Sequence, residues 1–239
     1  MKKNIQKHIF RKNAMKKYDL HIHSNFSNDS IIAPADILRI AKEKGLNGIA
    51  ITDHDTMRAY SVLKKLNKDK DFEIIPGEEI HTNYGHFLGL YLRKEIKSRD
   101  LFEAIDEVHN QGGIVVIPHP ITIASIHNFN YSLGKLKGKI DAVEAFNSRN
   151  FKRHNDLAQK EILKYGYAQV GSSDSHIKSD IGNGYTLFYG DLRDAIKNKE
   201  TIVGGTTKYG FVSNLCAGFR GRIIYPIIGS HIKSHQSRK

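Results

Sequence analysis

Cysteine is all but missing: Cys216 is the only one in 239 residues. An intramolecular disulfide is therefore excluded, and so is a metal site built of thiolates alone. A reducing, cytoplasmic location is the simplest expectation. No apolar run approaches the roughly 18–20 residues that a membrane helix needs. The first 17 residues are basic but lack the apolar stretch of about 7–15 residues found in a secretory signal. Prolines number five, and no Pro/Ser-rich stretch or internal repeat marks a domain boundary. A chain of this length fits one large domain better than two.

Acidic residues are missing from both ends. Residues 1–17 contribute +7 and residues 226–239 contribute +3, so residues 18–225 carry only +2 of the net +12. A nucleic-acid-binding body would more often carry a basic stripe of its own. The expected organisation is a basic N-terminal extension (1–17), a single domain (18–225) and a basic C-terminal tail (226–239). Such ends are solvated tails or weak electrostatic arms.

The body alternates between strand and helix patterns. Tyr18–His23, Gly48–Thr52, Phe72–Ile75, Ile114–Ile117, Ala142–Phe146, Ala168–Gly171 and Tyr185–Phe188 read as strands. Ala33–Lys44, Met57–Lys68, Leu101–Asn110, Arg153–Lys164 and Leu192–Lys199 read as helices, and His86–Leu92 as an extended segment. Four apolar β-branched residues in a row, Ile114 to Ile117, suit a strand buried on both faces. The alternation indicates an α/β fold with a parallel sheet, open or closed.

Polar residues recur where strands stop: His21 and His23, Asp53 and His54, Glu78 and Glu79, His119, Glu144 and Asn147, Asp174 and His176. In a parallel barrel these carboxyl ends share one face, where active sites form. On a strand, residues i and i+2 point the same way, so one ion can take both His21 and His23. Imidazoles mixed with carboxylates suit zinc, manganese or iron.

Six blocks in order resemble the PHP (polymerase and histidinol phosphatase) family. They are Tyr18-Asp19-Leu20-His21-Ile22-His23-Ser24, Ile51-Thr52-Asp53-His54-Asp55-Thr56, Pro76-Gly77-Glu78-Glu79-Ile80, His86-Phe87-Leu88-Gly89-Leu90, Ile117-Pro118-His119-Pro120 and Gly171-Ser172-Ser173-Asp174-Ser175-His176. The resemblance implies a distorted (β/α)7 TIM-like barrel. It also implies a trinuclear centre at the C-terminal ends of the strands, with up to three divalent ions (Zn, Mn or Fe). The first ion would take His21, His23, Glu79 and Asp174, the set closest to catalysis. The second would share Glu79 and add His86 and His119, and the third would take Asp29, His54 and His176. Glu79 fits the pattern better than Glu78, and His81 lies off it. Six histidines and three carboxylates around three divalent ions leave a formal charge of about +3, which attracts phosphate.

The surrounding residues allow more than one reading. Asp53 and Asp55 orient the His54 ring or cap the following helix. Glu144, Asn147 and Arg149 contact substrate or only tie the barrel end together. Arg149 and Lys178 are the phosphate-clamp candidates by position. His8, His109, His127, His154, His231 and His235 read as solvated or structural.

The implied reaction is hydrolysis of a phosphoester by metal-bound hydroxide, with no protein nucleophile. The expected substrate is the phosphomonoester of a small molecule or nucleotide, which the near-neutral body favours. A phosphodiesterase or exonuclease acting on nucleic-acid ends is the alternative. A non-catalytic metal-binding scaffold is the third class, disfavoured because all nine ligand positions hold competent residues. Neither membrane association nor an oligomeric state is indicated.

Overall fold

A computed structural model of the chain describes residues 14–121 and 129–208. Cys216, His8, His127, His231, His235 and the C-terminal tail lie outside them, as does the N-terminal extension up to residue 13. Among the described residues nine strands form one sheet: β1 (Lys16–Asp19), β2 (Gly48–Ile51), β3 (Glu73–Thr82), β4 (Gly85–Leu90), β5 (Ile114–Ile117), β6 (Ala142–Asn147), β7 (Ala168–Ser172), β8 (Gly184–Phe188) and β9 (Ile202–Gly205). Five α-helices accompany them: α1 (Pro34–Glu43), α2 (Arg58–Leu66), α3 (Leu101–Asn110), α4 (Lys152–Tyr165) and α5 (Leu192–Asn198). None of the described helices is long and apolar enough to cross a membrane.

Local chemistry accounts for the helices. Pro34 occupies the first turn of α1, where its missing N–H costs nothing. The Asp100 carboxylate accepts the Phe102 and Glu103 N–H groups at the start of α3, and Asp191 does the same for α5. Gly166 ends α4 in the left-handed conformation, at φ 72°.

The sheet order is β7-β6-β5-β4-β3-β2-β1-β8-β9. It curls into a nearly closed barrel. At the closing seam the Thr186 hydroxyl bonds to both the N–H and the C=O of Gly171, at 2.8 and 2.9 Å. Farther up, Ile22 and Ser175 form a parallel bridge between the extensions of β1 and β7. Gly184 crosses this seam so closely that a Cβ there would collide with the Ser172 carbonyl.

The sheet is not parallel throughout, as the alternation alone suggested. Strands β1–β2–β3 and β5–β6–β7 run parallel, but β4 is antiparallel to both β3 and β5, and β8 is antiparallel to β1 and β9. The reversal follows from a tight turn, Asn83-Tyr84, that leaves no room for a crossover helix. It has a consequence for the site: the first residues of β4 lie at the same barrel end as the last residues of β3.

Inward-facing positions form layers. Tyr18, Ile75, Leu88, Val116, Ala142, Val170 and Phe188 belong to one buried cluster inside the barrel, which Leu192, Ala195 and Ile196 of α5 close at the bottom. The outward positions Val115, Ile117, Val143 and Ala145 pack with α3 and α4 instead, and Ile49 and Ile51 with α1 and α2. Each fully buried aliphatic side chain contributes roughly 1.5–3 kcal/mol. Beyond the apolar layer the inward positions turn polar: Ile75 is followed on the same face by Gly77 and then Glu79, Leu88 is preceded by His86, Ala142 is followed by Glu144, and Val170 by Ser172.

Candidate metal centre

The polar layer converges on Glu79. Its Oε2 lies 3.1 Å from the Nε2 atoms of both His21 and His23, which are themselves 3.0 Å apart. Its Oε1 lies 3.1 Å from His86 Nδ1 and 3.5 Å from His119 Nε2. Asp174 Oδ1 sits 3.6 Å from each Nε2 of the His21–His23 pair. Nearer the rim, Asp29 Oδ2 faces His176 Nε2 at 2.8 Å and His54 Nε2 at 3.3 Å. All nine side chains named from the sequence therefore meet at one end of the barrel.

Their grouping overlaps more than three separate ligand sets would. His23 falls with Asp29, His54 and His176, His54 falls with Glu79 and His86, and His21 is shared between His23–Glu79 and His119–Asp174. The residues fit divalent cations. Nε2 atoms of two buried imidazoles facing each other over one carboxylate oxygen suit a positive charge between them better than mutual hydrogen bonding. Asp29 Oδ1 is buried with no hydrogen-bond partner among the described residues. Mixed nitrogen and carboxylate donors suit zinc, manganese or iron.

The electrostatics carry the same signature. Burial raises the Glu79 carboxyl pKa, but the His54 and His21 charges outweigh it and hold it well below the ordinary value. Burial likewise works against charge on Asp29 and Asp174, yet His176 for the first and Arg149 and His21 for the second keep both carboxyls low. Burial depresses His54, but Glu79 and Asp29 lift it to about 9. His23 is pushed down to about 3 by burial and by His176 beside it. Several carboxylates are thus held as anions in a largely buried site, which attracts cations.

Residues behind the ligands orient them. Glu144 is fully buried in β6. It faces His21 Nδ1 at 3.4 Å, accepts the His119 N–H at 2.7 Å and the Asn147 side-chain amide at 2.8 Å, and takes a close hydrogen bond from the Ser172 hydroxyl. Its role is to hold the barrel end and the His21 ring. Asp53 neither touches the His54 ring nor caps α2. It accepts the Ser24 N–H, the Ser24 hydroxyl and the Ser27 hydroxyl at 2.6–2.8 Å, and Ser27 Oγ in turn faces His23 Nδ1 at 3.2 Å. Asp55 accepts the His81 N–H and pairs with Arg99, both at 3.0 Å. The N-cap position of α2 is Met57, which supplies no side-chain cap.

Glu78 and Glu79 are neighbours on β3, so they face opposite sides of the sheet. Glu78 accepts the Ile96 N–H at 3.1 Å, outside the cluster. Arg149 reaches in, with Nη1 3.3 Å from Asp174 Oδ1 and 2.6 Å from His176 Nδ1. Asn147 is buried and spans Glu144 and Asp174. Lys178 departs from its expected place: its exposed ammonium pairs with Asp36 of α1 at 2.7 Å. Asp19 and Ser27 were not singled out from the sequence. Asp19 is a charged residue between buried Tyr18 and Leu20, and that anomaly was its signal. Its carboxylate accepts the Ser173 and Gly182 N–H groups at 2.9 and 2.8 Å, tying β1 to the loop that carries Asp174. Two cluster residues, His119 at φ 28° and Asp174 at φ 53°, adopt backbone conformations that side chains rarely take, as happens where a site dictates geometry.

Known proteins are similar to this chain. An uncharacterized protein of Methanocaldococcus jannaschii is 34% identical over 164 residues, covering 62% of this chain and 92% of the relative. The 5'-3' exoribonuclease of Haemophilus influenzae is 37% identical over 83 residues, 33% of this chain and 30% of that enzyme. A two-domain protein of Bacteroides vulgatus, described as containing a predicted PHP-like metal-dependent phosphoesterase, superposes with a TM-score of 0.70 at 21% identity. That likeness covers 82% of this chain and 66% of the Bacteroides protein, and it speaks for the fold. The family model of the PHP domain matches residues 19–209, the stretch that holds all nine converging side chains, and the chain belongs to this family of metal-dependent phosphoesterases.

Proposed function

We propose that the chain hydrolyses a phosphoester, foremost the phosphomonoester of a small molecule or nucleotide. The Glu79 carboxylate carries this reading. One of its oxygens faces the His21–His23 pair and the other faces His86 and His119, as a carboxylate bridging two cations would. His21, His23, Glu79 and Asp174 would hold the first ion, Glu79, His86 and His119 the second, and Asp29, His54 and His176 the third. Divalent ions there would lower the pKa of water towards about 7 and neutralise charge on the phosphoryl oxygens.

The protein's own groups prepare that chemistry. Glu144 and Ser27 engage the Nδ1 atoms of His21 and His23, which leaves both Nε2 lone pairs pointing at the cluster. Arg149 is the cation best supported as a phosphate contact, because its guanidinium already borders Asp174 and His176. Asn147 acts through Glu144 and Asp174 as a positioning group. Lys178 is left out of the proposed contacts because its ammonium pairs with Asp36. A cysteine nucleophile is not required.

A second reading, attack at nucleic-acid ends, is favoured by the 83-residue similarity to an exoribonuclease. The same centre serves both, since each needs attack at phosphorus. Paired assays with manganese, on an aryl phosphomonoester and the matching diester, with and without chelator, separate them. Monoester turnover lost on chelation supports the first reading, and diester turnover supports the second. Failure on both substrates, with no metal retained by the protein, would overturn the proposal.

A further inference from the structure

We propose that His81 is a substrate-contacting residue whose imidazole N–H donates a hydrogen bond to the leaving-group oxygen of the phosphoester. The inference rests on the phosphoester reading above and goes beyond the nine cluster residues, among which His81 is not counted.

Strand geometry supplies the first argument. Ile75, Gly77, Glu79 and His81 lie on one face of β3, because side chains alternate along a strand. Ile75 packs inside the barrel and Glu79 is the hub of the cluster, so this face points inward. His81 occupies the next inward position, roughly 6.8 Å farther towards the mouth at the usual rise per residue. Pairing supplies the second argument. His81 stands directly opposite His86 in the β3–β4 register, and the two rings lie 4.8 Å apart at 57°. Opposed residues of an antiparallel pair share a face, so the ring of His81 sits over that of a cluster residue.

Anchoring supplies the third. The His81 backbone N–H donates to Asp55 Oδ1 at 3.0 Å, and the Asp55 backbone N–H donates to the Glu79 carbonyl at 3.1 Å. The strand end is therefore fixed to the loop that carries His54. His81 nevertheless remains exposed, so the ring borders solvent at the mouth. A phosphoryl group attacked in line from the floor of the site expels its leaving group towards the mouth. Negative charge grows on that oxygen as its bond to phosphorus breaks, and a neutral N–H donor one layer above the floor stabilises it.

The test uses the full chain loaded with manganese, with His81→Ala and His81→Gln beside the unaltered protein. Substrates are phenyl phosphate, a poor leaving group, and 4-nitrophenyl phosphate, a good one. His81→Ala is expected to lose about tenfold in kcat/KM on the phenyl ester and about twofold or less on the nitrophenyl ester, the size expected for one neutral hydrogen bond. His81→Gln, which keeps an N–H donor, is expected to restore most of the loss. Metal content and inhibition by inorganic phosphate should stay unchanged, since both report on the floor. Equal losses on the two esters, or loss of metal from either variant, would overturn the role of His81 and leave the phosphoester reading intact. No turnover of either ester by the unaltered protein would overturn the role of His81 together with the monoester reading, while the diester and metal-retention assays above decide the phosphoester reading itself.

Discussion

Glu144→Gln is the most informative single change. The side chain keeps its shape, so no cavity opens, but one acceptor oxygen becomes a donor. All of its partners donate: the His119 N–H, the Asn147 amide, the Ser172 hydroxyl and, when Nε2 binds an ion, the His21 Nδ1–H. Whichever way the amide turns, it opposes two of them. Hydrogen bonds to a charged group contribute about 1.5–3 kcal/mol each, so a stability loss of about 2–4 kcal/mol is expected after local adjustment. Removing an outer partner of a metal-binding histidine weakens affinity by about 10–100-fold. Metal-free protein titrated calorimetrically with manganese gives the affinity, and urea unfolding gives the stability. Ser172→Ala controls for packing, because it removes a Glu144 partner while leaving the carboxylate beside His21. It is expected to bind metal as the unaltered chain does. A Glu144→Gln protein that is folded and binds manganese with unaltered affinity would refute the orienting role.

Three further outcomes are expected. Glu79→Ala and Asp174→Ala should each abolish metal retention, measured as metal per chain, together with turnover; full metal-dependent activity in either variant would contradict the ligand assignment. Asp19→Ala leaves the Ser173 and Gly182 amides unpartnered at the barrel seam, at about 1–3 kcal/mol each, so urea unfolding should show a loss of about 2–6 kcal/mol, with Asp19→Asn milder. The hydrogen bond that the His109 ring donates to the Asp141 carboxylate at 3.0 Å raises the pKa of His109 above its ordinary value of about 6.5. The pair therefore stabilises the fold below about pH 6.5, and that contribution fades as pH rises through the raised value. Because both side chains are 38% exposed, it should stay below about 1 kcal/mol, and His109→Gln should remove it. An NMR titration of the His109 ring midpoint at or below about 6.5 would refute the pairing.

Much of the architecture was legible in local pattern. Leu101–Asn110 and Ile114–Ile117 have the bounds read from the sequence, because an amphipathic period and a run of β-branched residues are local signals. β3 was read as stopping at Ile75, yet it continues to Thr82. Gly77, Glu78, Glu79 and His81 break the apolar alternation there, since the inward positions serve the site rather than the core. The short edge strand Ile202–Gly205 was not anticipated, since two glycines weaken any strand signal and its order comes from pairing with β8. The direction of β4 was equally illegible, because strand polarity is a property of the pairing partners and not of the strand itself.

The candidate site divides in the same way. The sequence by itself determined which donor types are present, in which order, and that they recur at strand ends. This was possible because ligand chemistry resides in residue identity and the strand-end rule is local. Only the tertiary structure decided that Glu79 faces two sets of imidazoles, that Glu144 backs His21, that Lys178 turns to Asp36 and that His81 stands over His86. The contacts that set these roles join residues far apart in the chain, 123 for His21 and Glu144 and 147 for Asp29 and His176. Barrel closure brings them within reach, and no local periodicity encodes which strands become neighbours across the seam.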